Sequence, residues 1–124
     1  MLKYTSCLFA TTVIHAYYAR LETYHHLFLA VTILSILNHS AYDLLVNQID
    51  RLLAHLGYFY ILLETQHVLS HGALGLLCFP ACVGALWAAE MKWETRQNEL
   101  HMALHCVSAV GVHAYMYVLY EITA

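Results

Sequence analysis

An all-α bundle that crosses a membrane about five times is the fold class this sequence predicts. Three observations predict it. Hydrophobic residues make up 61% of the 124 and charged residues only 10%, where a soluble domain carries about 25% charged residues. The few charges are grouped, so that long uncharged stretches separate them. The chain has one proline and no Gly/Ser-rich linker, and stretches such as 27–37 do not alternate apolar with polar. Barrel strands would alternate over about ten residues, whereas a helix satisfies its own backbone in lipid. So much apolar side chain excludes disorder. Five Lys+Arg against eight Asp+Glu, net −3, leave no basic patch for phosphates and exclude a nucleic-acid partner.

The uncharged stretches run over 4–19, 23–42, 52–63, 65–89 and 100–120. Three of them reach the roughly 20 residues that cross a hydrocarbon core. The other two reach it when a charge near a helix end snorkels to the surface. The predicted helices are about 4–20, 23–45, 48–67, 70–90 and 99–121, in one transmembrane domain over 1–124. Their joins are Arg20-Leu21-Glu22, Val46-Asn47-Gln48, His67-Val68-Leu69 and the charged 91–98. No internal repeat is apparent. The first helix, with Lys3 before an apolar stretch, resembles a signal peptide, but the tyrosines in Ala16-Tyr17-Tyr18-Ala19 make a poor cleavage site. It is read as retained.

In the fourth helix, Pro80 predicts a kink. Gly72, Gly75 and Gly84 predict close helix packing. Cys7, Cys78, Cys82 and Cys106 form no CxxC pair, and Cys78 and Cys82 read as small apolar packing residues. The ten tyrosines, with Trp87 and Trp93, read as interfacial anchors. Five helices put Lys3, Arg51, Lys92 and Arg96 on one side and Arg20 on the other, so the N-terminus is predicted to face the cytoplasm.

Ionisable groups inside membrane helices are costly and mark functional sites, and the chain has ten histidines. Ser35 and His39 stand four apart on one helix face, as do His101 and His105. His39 lies about six residues, or roughly 9 Å, from the predicted end of its helix. Asp50 lies just past the following turn. Two crossings later, the fifth helix starts on the original side, with His101 and His105 in its first two turns. The four groups therefore share a depth at the cytoplasmic end.

Three neutral imidazoles with one open position are the ligand set of a catalytic zinc site. A carboxylate outside the ligand set, Asp50, can take a proton from the activated water. Ser35, one turn from His39, can hydrogen-bond the water or an oxyanion. Arg51, next in sequence, is a candidate ion-pair partner of Asp50. The remaining polar groups have plainer readings. His67 and His71 span a turn on the opposite side, and His25 and His26 lie near a helix start; both pairs read as interfacial. His15, His55 and His113 read as packed or hydrogen-bonded, and Glu64 and Asp43 as snorkelling charges.

Ser-x3-His, an Asp eleven residues after that His, and a His-x3-His opening the last helix resemble the CREST superfamily of membrane hydrolases. That group includes alkaline ceramidases, adiponectin-receptor-type proteins, GPI-remodelling proteins and myomaker-like proteins. The step from His39 to Asp50 is most similar to the ceramidases, and the stretch through Tyr42-Asp43 looks somewhat like the myomaker-type group. The resemblance covers roughly 35–55 and 99–115. It implies that His39, His101 and His105 bind Zn2+, that Asp50 and Ser35 hold the water, and that the substrate is a membrane lipid amide or ester drawn from the bilayer. The family has seven helices where this chain has five. A shortened form is a degenerate, an inactive or a homo-oligomeric relative. Two other classes compete: a multi-pass membrane scaffold or receptor-like protein whose histidines join helices, and a membrane protein with bis-histidine haem.

Overall fold

The computed structural model describes residues 2–41, 43–72 and 74–123. Among them there is no strand. The helices are α1 (Leu2–Ser6), α2 (Leu8–Tyr18), α3 (Glu22–Ser40), α4 (Leu44–Ser70), α5 (Cys78–Lys92) and α6 (Gln97–Thr123), with 3-10 turns at Leu74–Leu77 and Glu94–Arg96. The first two are one helical run with a tightened turn at Cys7, whose N–H bonds the Tyr4 carbonyl at 3.2 Å.

Side-chain chemistry explains where the helices stop. Asp43 is not a snorkelling charge at the end of the second helix. It is extended and caps α4, its Oδ1 accepting the Val46 N–H at 3.0 Å. An Asp at this position satisfies an orphan donor of the first turn, and that outweighs the apolar continuity of Leu44–Val46. The turn therefore precedes Val46-Asn47-Gln48, α3 ends at Ser40 rather than near 45, and His39 sits in its last turn. At the other end α4 continues through His67-Val68-Leu69 to Ser70 and stops at Gly72, where φ is +81° and only a residue without Cβ is unstrained.

Pro80 does not kink a long helix. It lies in the first turn of α5, just after the 3-10 turn, where its missing N–H is an orphan anyway. Its carbonyl accepts the Tyr58 hydroxyl at 3.0 Å.

The core joins α2, α3, α4 and α6, with Phe9, Phe28, Val31, Val68, Tyr115 and Met116 at its centre. Phe9 and Tyr24 each stack on Phe28. Tyr24 and Tyr115 are 2% and 1% exposed, so these two tyrosines are core residues and not interfacial anchors. The four cysteines are free and exposed, so Cys78 and Cys82 do not pack inside. Nor is Gly75 a close-packing site, for nothing approaches its Cβ position within 4 Å. The close approach is at Gly111 of α6, where a Cβ would stand 2.9 Å from Cβ of Phe79 on α5.

The outside is apolar as well. Leu29, Ile33 and Leu37 on α3, and Leu52, Leu56, Phe59 and Leu63 on α4, point outward. Two helical stretches, Leu74–Lys92 and Glu94–Thr123, are long and apolar enough to cross a membrane.

Gly111→Ala should lower stability by about 1–3 kcal/mol, the usual cost of forcing a carbon into a packed contact. Thermal unfolding in detergent measures it. An unchanged melting temperature would contradict the α5–α6 contact.

Candidate metal centre

Five helix ends meet where the site forms: the start of α1, the end of α3, the start of α4, the end of α5 and the start of α6. The alternating course of antiparallel helices brings them together. There the rings of His39, His101 and His105 converge, with centroids 5.2 Å (His39–His101), 5.5 Å (His39–His105) and 4.6 Å (His101–His105) apart. One ligand atom from each lies within 4.8 Å of the other two, so the three side chains can hold a metal ion. Nitrogens around a tetrahedral ion at about 2.0–2.1 Å stand roughly 3.4 Å apart, a small ring adjustment away.

The second nitrogen of each ring decides which atom faces the ion. Nδ1 of His101 lies 2.9 Å from Oε1 of Glu90. Since the carboxylate can only accept, that nitrogen carries the proton. Nδ1 of His105 lies 2.9 Å from Oγ1 of Thr5, whose own hydroxyl donates to the Leu2 carbonyl. The hydroxyl has one proton to give, so here too Nδ1–H is the donor. Both Nε2 lone pairs are left free. His39 completes the pattern, because its Nε2 is buried with no hydrogen-bond partner. A buried ring nitrogen left without a partner is costly, and in the tautomer that bares its lone pair a cation satisfies it. The fit is to a site of three neutral imidazoles.

Of the two residues assigned to the water, Asp50 lies close to His39 and His101, and Ser35 is one turn before His39 on α3. Asp50 is 8% exposed. Its Oδ2 accepts from Asn38 Nδ2 at 2.8 Å, and Asn38 Oδ1 accepts from Asn47 Nδ2 at 3.1 Å. The expected pairing with Arg51 does not form. Arg51 is exposed, and among the described residues the ion pair within 4.0 Å is Glu90 with His101. Ser35 is 3% exposed and lies 2.9 Å from Ser6 Oγ, which itself donates to the Leu2 carbonyl. Ser35 therefore donates to Ser6 and keeps its own lone pairs free. Tyr42, part of the motif stretch, lies outside the described residues.

Sequence reasoning missed Glu90, Thr5, Ser6 and Asn38. The same count of helix crossings could have found the first three, since each stands at the end of a helix on the site's side. Asn38 adjoins His39 and carried no signal of its own.

The other histidines are occupied elsewhere. His15 and His113 stack, with Nδ1 atoms 2.8 Å apart, and His113 Nε2 meets Thr11 Oγ1 at 2.8 Å. His55 stacks on Trp87 at 4.7 Å. His67 and His71 are exposed, with the His71 ring on the His67 carbonyl.

An apolar cavity of about 80 Å³ is lined by residues that include Phe9, Phe28, Ala54, Trp87, Val107 and Tyr115. From Val107 to Tyr115 it follows α6 for eight residues, roughly 12 Å. Phe9, part of its wall, packs edge-on against His105 with centroids 5.5 Å apart. Phe9 thus stands between the cavity and His105.

Compared with protein-family models, curated proteins and solved structures, the chain matches none.

His39→Ala, His101→Ala and His105→Ala should each cut metal affinity by more than the about 10–100-fold typical of losing an outer-shell partner. Acid should release the metal from the unaltered protein, because a protonated imidazole cannot ligate. Metal content of purified protein against pH checks both. Full occupancy in any one of the three variants would contradict the shared site.

Proposed function

We propose that this chain is a multi-pass membrane protein that hydrolyses an amide or ester bond of a membrane lipid at a zinc centre. The observation that carries the proposal is the linking of two features through Phe9. Three imidazoles converge close to the buried Asp50, and Phe9, which packs against His105, is also part of the wall of an apolar cavity. The lining is made of apolar side chains and aromatic rings, which suits part of an acyl chain. The ligand set is that of catalytic zinc, three histidines and an open position.

The membrane reading rests on the outward-facing apolar rows of α3 and α4 and on the two long apolar stretches. A helix of 27 residues, such as α4 or α6, spans roughly 40 Å, longer than a hydrocarbon core of about 30 Å. The exposed Lys3, Arg51, Lys92 and Arg96 are all at the site's end, and Arg20 is at the other. By the positive-inside rule the site and the N-terminus face the cytoplasm.

Each residue then has a task. The cavity holds the acyl chain and brings the scissile carbonyl to the triad. Bound there, zinc supplies Lewis-acid polarisation of that carbonyl and lowers the pKa of water. Asp50, held by Asn38 outside the ligand set, accepts the proton of the attacking water and returns it to the leaving group. Ser35 orients the water through its free lone pairs. The CREST resemblance points the same way. Haem between two of these histidines fits poorly, since the third ring occupies the space a porphyrin needs.

Asp50→Asn keeps the shape but cannot take a proton. It should retain zinc while lipid hydrolysis falls by about 10²–10⁴, the range for losing acid–base help. Ser35→Ala should retain zinc with a smaller loss. Fatty acid released from a panel of ceramides and phospholipids, with zinc content on the same samples, provides the test. Undiminished turnover in Asp50→Asn would remove Asp50 from the reaction. Absence of release from every lipid by the zinc-loaded protein would favour the scaffold reading.

A further inference from the structure

Two carboxylates flank the three imidazoles, and the reaction above uses one of them. The other, Glu90, ends α5 and is 12% exposed. The charged residues that follow it, Lys92, Glu94, Arg96 and Glu99, are all exposed. Glu90 alone among them is turned toward the site, and Oε1 meets His101 Nδ1 at 2.9 Å. The bond spans the connection between α5 and α6.

The histidines are supported unequally. Thr5 gives His105 a neutral acceptor, whereas Glu90 gives His101 an anionic one. A carboxylate on the far side of a ligating imidazole fixes the tautomer, orients the ring and makes the free nitrogen more basic. The charges add up as well. Three neutral imidazoles leave a divalent cation at +2, and ionised Asp50 and Glu90 contribute −2. A metal-loaded site then carries no net charge at the end of an apolar bundle, where an uncompensated one is expensive.

We propose that Glu90 is the positioning residue of the metal centre: its carboxylate holds His101 with Nε2 toward the ion and balances half of the ion's charge. This rests on the metal-centre reading, and the experiment separates the two. Unaltered protein, Glu90→Gln, Glu90→Asp and the exposed control Glu94→Gln are purified in detergent and stripped of metal. Zinc affinity is measured by chelator competition, the cobalt(II) absorption spectrum is recorded for each, and thermal unfolding is followed without metal.

Glu90→Gln is expected to bind zinc about 10–100-fold more weakly and to shift the cobalt bands. Its metal-free melting should match the unaltered protein, since the amide oxygen still accepts the Nδ1 proton. Glu90→Asp keeps the charge and should lie between the two, and Glu94→Gln should bind normally. Equal zinc affinity in Glu90→Gln and the unaltered protein overturns the role of Glu90 and leaves the metal centre standing. Weaker binding by Glu90→Asp than by Glu90→Gln overturns the charge balance. Should Glu90→Gln fail to fold, Glu90→Asp against Glu94→Gln decides: affinity below the control supports the role of Glu90, and affinity equal to the control overturns it. Unaltered protein that takes up no zinc overturns both the role and the centre.

Discussion

Holding three imidazoles and two carboxylates together, all of them buried or half-buried, at one end of the bundle is the constraint on which the rest of this structure depends. Each such group must find a partner or lose much of its hydration energy. The bundle answers with a dense set of hydrogen bonds from five helix ends. Glu90 of α5 holds His101, Thr5 of α1 holds His105, Asn38 of α3 holds Asp50, and Ser6 of α1 holds Ser35. The Nε2 atoms of His101 and His105 take part in none of these bonds, and His39 Nε2 is buried without a partner. The pattern makes chemical sense when a cation occupies the point toward which the free nitrogens face.

The same requirement explains the departures from ideal helix geometry. The tightened turn at Cys7 follows the residues Thr5 and Ser6 that reach the site. The break between α3 and α4 sets Asn38 and His39 in a last turn and Asp50 two turns into the next helix. Away from the site the interior is governed by packing. Stacked aromatic rings fill α2–α3, Gly111 admits Phe79, and α4 and α5 are bridged by Tyr58 and by the His55–Trp87 stack around an apolar cavity.

The all-helical fold and the meeting of His39 with His101 and His105 were legible in the sequence, because both follow from coarse quantities. Uncharged run lengths set the helices, and an odd or even number of helices between two ends sets whether they meet. The proximity of His39 to His101 and His105 needs nothing finer. Local chemistry was harder to read. Asp43 looked like a stray charge inside an apolar run, yet its capping bond moved a helix boundary by several residues. Pro80 looked like a kink until the 3-10 turn placed it at a helix start, where proline is harmless. Glu90 was hidden among five charged residues of one connection, since direction is a property of side-chain packing and not of spacing. Tyr24 and Tyr115 were misread because tyrosine serves equally as a core ring and as an interfacial anchor.

Zinc K-edge X-ray absorption on the purified protein addresses the centre most directly. A first shell of nitrogen and oxygen at about 2.0–2.1 Å, with the outer-shell scattering of three imidazoles and one zinc per chain, is the expected result. Protein that purifies without zinc and takes none up, or a first shell containing sulfur at about 2.3 Å, would contradict a centre built from His39, His101 and His105.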